Sequence, residues 1–151
     1  MVQFRLPMLP APDEVSWSPS VNGVKLALHI ESNAILLDVL RDQADSLGTK
    51  RGCDMGTCGC CSVLVDGTPK LSCLMLAQEA DGCEITTIEG LADGHHLHPI
   101  QQTFTEYGGS QCGFCTPGFV MSLFAMYKNF SSYNKENIQD SISGNLCRCT
   151  G

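Results

Sequence analysis

The residues of this chain that could do chemistry are its ten cysteines, set unevenly along 151 positions. In "GTKRGCDMGTCGCCSVLVDG" (48–67), Cys53, Cys58 and Cys61 stand as C-x4-C-x2-C, and Cys73 follows in "LSC". That is the plant-type ligand spacing of a [2Fe–2S] cluster. Three thiolates converging from one loop need tight turns and close backbone approach. Gly52, Gly56 and Gly59 permit both, and they leave amide N–H groups free to donate to sulfur. Adjacent side chains point in different directions, so Cys60 and Cys61 do not both face one cluster. Cys60 and Cys83 read as small buried thiols.

Eight cysteines remain, which makes a second set: Cys112 and Cys115 in "QCGFCTPG", Cys147 and Cys149 in "NLCRCTG". C-x2-C joined to a distant C-x-C is not the plant-type pattern. By spacing alone, a four-cysteine zinc site rivals a second cluster here. Both pairs stand at expected helix ends, where exposed N–H groups favour thiolates.

The even cysteine count also fits a disulfide framework. Clustering at short spacings argues against it, as does "MVQFRLPMLPAPDEVSW", which lacks the apolar core of a secretory signal. A reducing, cytoplasmic setting is the expectation, where clustered thiols hold metal. The formal net charge of −7 disfavours nucleic acid and anionic membrane surfaces as partners, and no apolar run reaches bilayer length.

The elements that must position these thiols are legible in outline. Asn22-Gly23 marks a hairpin turn into an alternating strand, Val24 to Ile30. A helix is expected after Ser32 or Asn33, with Ile35, Leu36, Val39 and Leu40 as its apolar stripe and Gly48 as its stop. Asp66-Gly67 turns a second hairpin, and "CEITTIEGL" (83–91) reads as a last strand. Beyond Gly90 the pattern becomes helical. Pro99 opens a short helix ending at Gly108-Gly109, and Thr116-Pro117 open a helix apolar around most of its circumference. A last helix runs from Asn134 or Lys135 to Ser143, closed by Gly144. "GHHLHP", with His95, His96 and His98, reads as a solvated linker rather than a metal site. The expected organisation is an N-terminal extension (1–19), a small α+β [2Fe–2S] domain (20–91) and an all-α domain (92–151).

"GCDMGTCGCCSVLVDG" with "LSCLMLA", "TIEGL", "QCGFCTPG" and "GNLCRCTG", in that order, resembles the iron–sulfur subunit of the xanthine dehydrogenase/aldehyde oxidase family of molybdenum hydroxylases. The resemblance spans residues 20–151 and favours a second [2Fe–2S] cluster over zinc. It implies a plant-type ferredoxin-like β-grasp domain followed by a four-helix-type [2Fe–2S] domain. It also implies a large partner subunit that holds a molybdopterin cofactor and a medium one that holds FAD. Electrons would pass from the molybdenum centre to the helical-domain cluster, then to the ferredoxin-like cluster and the flavin. Gln111 and Cys149 match the family positions that approach the pterin. Cys60 stands where the family commonly has Ala. No residue of this chain is a candidate for substrate chemistry; on this reading catalysis belongs to the partner. The alternatives from other classes are a free two-cluster electron carrier and a zinc-binding module.

Overall fold

A computed structural model describes residues 13–150; the first twelve residues of the expected N-terminal extension lie outside the described range. The strands are β1 (Glu14–Trp17), β2 (Ser20–Val21), β3 (Val24–Lys25), β4 (Leu28–Glu31), β5 (Ser62–Val65), β6 (Thr68–Leu71) and β7 (Glu84–Thr86). The α-helices are α1 (Leu36–Asp42), α2 (Pro99–Glu106), α3 (Thr116–Asn129) and α4 (Lys135–Ile142). One five-stranded sheet has the order β3-β2-β7-β5-β6, and β1 pairs with β4 beside it. Within the larger sheet β2 and β7 run parallel and the other pairs antiparallel.

Both turn dipeptides do what their residue types allow. Asn22 and Gly23 lie at φ 51° and 80°, Asp66 and Gly67 at 48° and 74°. Paired positive φ values of this kind match the twist of flanking antiparallel strands. Strand β5 is buried along its whole length, and its alternation serves two layers. Val63 and Val65 join Trp17, Ile30, Leu36, Val39, Leu40 and Ile85 in the main core. Leu64 instead packs with Met121 and Ala125 of α3. The sheet thus has α1 on one side and α3 on the other.

Four elements differ from the sequence reading. Residues 14–17, expected in the extension, form a core strand whose Trp17 is fully buried; Trp17 Nε1 donates to the Ala77 carbonyl at 2.6 Å. The alternating run 24–30 is split between two sheets, because Leu26 N–H bonds back to the Pro19 carbonyl and redirects the chain. Helix α1 starts late, since Ile35 is extended and bridges to Leu76. It also ends at Asp42, so Gly48 is not its stop. The last strand covers only Glu84–Thr86 before a 3-10 turn at Ile88–Leu91.

After residue 92 the described residues form three α-helices, where a four-helix arrangement was expected. Gly144 follows the end of α4 and the segment carrying Cys147 and Cys149 runs on as a loop. Helices α2 and α4 bury no residue fully, and α3 buries Gly118, Val120, Met121, Ala125 and Met126. Asn134 caps α4 through its side chain, which accepts from Asn137 N–H. His98 is not a bare linker residue: its Nδ1 caps α2, and its ring meets Phe124 edge-on at 5.1 Å. His95 and His96 are exposed. No helix of the described residues is long and apolar enough to cross a membrane.

Candidate metal centres

The first cysteine loop is anchored at both ends before any thiol is placed. Arg41 of α1 donates to the carbonyls of Leu47 and Thr49, and Lys50 N–H donates to the Cys60 carbonyl at 3.2 Å. Arg51 bridges Asp38 of α1 and Asp54 within the loop. Gly52 then lies where a side chain has no room: a Cβ there would stand 2.9 Å from Cys58 Sγ and 3.0 Å from Cys60 Sγ. Gly59, at φ 67°, turns the chain just ahead of Cys60 and Cys61.

Each set of four thiols divides into two close pairs. In the first set Cys53 contacts Cys58, and Cys61 contacts Cys73, which comes from the 3-10 turn Ser72–Leu74 after β6. In the second set Cys112 and Cys149 stand with sulfurs 3.6 Å apart, and Cys115 contacts Cys147. Two pairs per set is the division that four thiolates adopt on two irons. The thiol chemistry and the pairing therefore fit two [2Fe–2S] clusters.

Backbone donors also aim at sulfur. The Met55 N–H, with those of Thr57 and Cys58, pulls the Cys53 thiol down to about 6. The Thr150 hydroxyl and N–H do the same for Cys147, also to about 6. The N–H of Phe114 lowers Cys112. Burial pushes Cys73 and Cys115 up to about 11 and Cys60 up to about 12, and the neighbouring Cys112 thiol raises Cys149. The donors at Cys53, Cys112 and Cys147 favour the thiolate form that ligates metal.

The two sets meet. A cavity of about 500 Å³ is lined by Cys53 and Cys58 of the first set and by all four thiols of the second. Cys60 lines it as well, so this buried thiol borders both sets, which its spacing did not reveal. Cys83 packs against the main core, away from every other cysteine. Cys112 and Cys149 are exposed, as is Gln111 beside them, and the rim of the cavity carries the exposed Phe114 and Leu146.

Residues 12–104 match the family described as 2Fe-2S iron-sulfur cluster binding domain, and residues 87–151 match the [2Fe-2S] binding domain family. The gamma subunit of caffeine dehydrogenase from a Pseudomonas species is 48% identical over 139 residues, covering 89% of this chain and 82% of that protein. The beta subunit of the 6-hydroxypseudooxynicotine dehydrogenase complex from Paenarthrobacter nicotinovorans is 44% identical over 132 residues, covering 87% and 82%. Quinoline 2-oxidoreductase from Pseudomonas putida 86 contains a chain of the same fold, with a TM-score of 0.86 and 40% identity over 91% of this chain and 85% of that one.

Proposed function

This chain belongs to the iron–sulfur subunits of the xanthine dehydrogenase/aldehyde oxidoreductase family of molybdenum hydroxylases, and we propose that it relays electrons between two partner subunits. The observation that carries the relay is the shared cavity, which brings Cys58 of one set and Cys115 of the other to one lining. Bound clusters would supply one-electron redox chemistry; the chain supplies their ligands, spacing and shielding.

Cys53, Cys58, Cys61 and Cys73 would hold the first [2Fe–2S] cluster, and Cys112, Cys115, Cys147 and Cys149 the second. Gly52 keeps the wall of the first site thin, and the N–H groups at Cys53 and Cys147 offset the negative charge on sulfur. The exposed thiols of the second set, with Gln111 beside Cys112, make that end of the molecule the side for a large subunit holding the molybdopterin cofactor. The first set then faces the acceptor, FAD on a medium subunit. The division into a ferredoxin-like β-grasp domain ending near residue 91 and a helical domain from 92 to 151 belongs to the same reading, as does a cytoplasmic setting that keeps the thiols reduced. Substrate catalysis is left to the partner.

The test is an iron and sulfide assay on the purified complex, with electron paramagnetic resonance after reduction. About four irons and four sulfides per chain are expected, with two distinct signals. Cys58→Ala should remove one signal and leave the other. Zinc in place of iron, or one signal lost together with Cys60→Ala, would overturn the assignment.

A further inference from the structure

Between the two thiol sets runs a seam that the ligands alone do not explain. After Gly144 the chain turns back over the first cysteine loop. Leu146 N–H donates to the Cys58 carbonyl at 3.0 Å, and Asn145 Nδ2 donates to the Gly59 carbonyl at 3.1 Å. From the other side, the first turn of α3 presses Gly118 onto the same peptide. A Cβ on Gly118 would lie 2.2 Å from the Gly59 oxygen and 2.9 Å from Cys60 Cα. A Cβ on Gly59 would meet Asn145 Nδ2 at 2.5 Å and the Gly144 oxygen at 2.6 Å. Three stretches of backbone thus touch at one point: one carries Cys58 of the first set, and the other two lead to Cys115 and Cys147, a pair of the second.

We infer that Asn145 is a positioning residue for electron transfer, holding the Cys58 C=O···H–N Leu146 hydrogen bond as the bonded bridge between the two sets. The inference rests on the relay reading above. Cys58 belongs to the first set, and Leu146 is bonded directly to Cys147 of the second. Electronic coupling falls less steeply along covalent and hydrogen bonds than across an empty gap. A path of covalent bonds closed by this one hydrogen bond therefore links the two sets through the backbone. An electron crossing the seam makes and breaks no bond; one set is oxidised by one electron as the other is reduced, with the family's hydroxylation reaction as source.

The residue type is specific to the task. The Gly59 carbonyl also accepts from Ser62 Oγ at 2.8 Å, so the group that pairs with it from the C-terminal loop must be a donor. Asparagine donates from a short side chain; aspartate at the same length would set a negative charge against the carbonyl. Losing such a bond shifts a local opening equilibrium by roughly tenfold, enough to leave the Leu146 bridge broken far more of the time.

The experiment compares the assembled complex with its Asn145→Asp and Asn145→Gln variants. The Asp variant should keep its iron, its sulfide and both reduced-cluster signals. Its magnetic interaction between the two reduced clusters should weaken, and stopped-flow transfer from the second cluster to the first should slow, with the roughly tenfold opening shift as the upper limit. The Gln variant, which still donates, should recover much of the rate. Unchanged transfer in an Asp variant with full iron content would overturn the bridge and leave the relay standing. Should Asn145→Asp fail to assemble, amide hydrogen exchange on the wild-type complex decides instead. The Leu146 N–H should be protected although the residue is 57% exposed; exchange at the rate of a free loop amide would overturn the inference. A wild-type complex lacking two cluster signals would sink the relay reading itself.

Discussion

The loop that carries Cys53, Cys58 and Cys61 hangs between a helix and a sheet with a core of their own, running from Trp17 through Leu40 to Ile85. The helices that flank Cys112 and Cys115 bury far less among themselves. Among the described residues, the buried cluster they form is Met121 and Ala125, and it is completed by Leu64 of β5, a residue of the sheet. The helical region also leaves large apolar side chains open: Tyr107, Tyr127, Phe130, Tyr133 and Ile138 are exposed. Both regions place four thiols in two pairs, yet one does so on an independent core and the other on a borrowed one. A set of ligands can therefore be equally well formed locally and very unequally supported.

The largest effect should come from the independent core. Trp17→Ala removes a fully buried ring and the Nε1–H bond to Ala77, at a cost of about 3–5 kcal/mol. Because α3 leans on the same sheet through Leu64, both regions should melt together in this variant. Calorimetry showing that the helical region keeps its own transition would mean that it does not borrow its core.

Met121→Ala attacks the borrowed contact instead. A fully buried methionine cut to alanine costs about 2–5 kcal/mol. The loss should fall on the helical side, since Met121 touches the sheet only through the small cluster at Leu64. Hydrogen exchange should accelerate in α3 and α4 while β5 and β7 stay protected. Equal acceleration in both regions would show one cooperative unit rather than a host and a dependant.

Gly118→Ala sharpens the junction between them. The added methyl meets backbone on both sides of the Gly59 peptide, and such overpacking costs about 1–3 kcal/mol. The expected readout is a lower melting temperature with the first cluster signal intact and the second perturbed. No change in either would mean that α3 can slide away from the first loop without cost.

How far this was readable from residues alone follows the same division. The cysteine spacings gave both sets, and the turn pairs Asn22-Gly23 and Asp66-Gly67 gave both hairpins, because these signals are local and chemical. Pro99 and Asn134 marked helix starts for the same reason. What escaped depends on partners far along the chain. Strand β1 is a strand only because β4 pairs with it, and α1 begins late only because Ile35 bridges to Leu76. Cys60 looked like any small buried thiol, since nothing in its own loop shows that Cys115 comes up beside it. Asn145 sat in the motif "GNLCRCTG" with no mark of its contact to Gly59, which lies 86 positions away.

The smallest effect tests the hairpin edge of the independent region, far from both thiol sets. The Asp66 carboxylate accepts from Glu84 N–H at 2.8 Å, and that bond, with a smaller part from the Cys83 thiol, holds its pKa below the usual 3.8. The sign follows from linkage. Above 3.8 the group is ionised in both folded and unfolded chains, and its stabilisation is complete. As the pH falls below 3.8 the unfolded chain takes up the proton first, so the stabilisation drains away until the folded carboxyl titrates too. Asp66→Asn keeps a residue that tolerates φ 48° and removes the titration. Chemical denaturation at stepped pH values should show the wild type losing stability below about pH 4 slightly more steeply than the variant, a small margin because the group is exposed. Parallel curves would mean that the Asp66 to Glu84 bond does not hold in solution, and that this edge of the sheet is looser than its register implies.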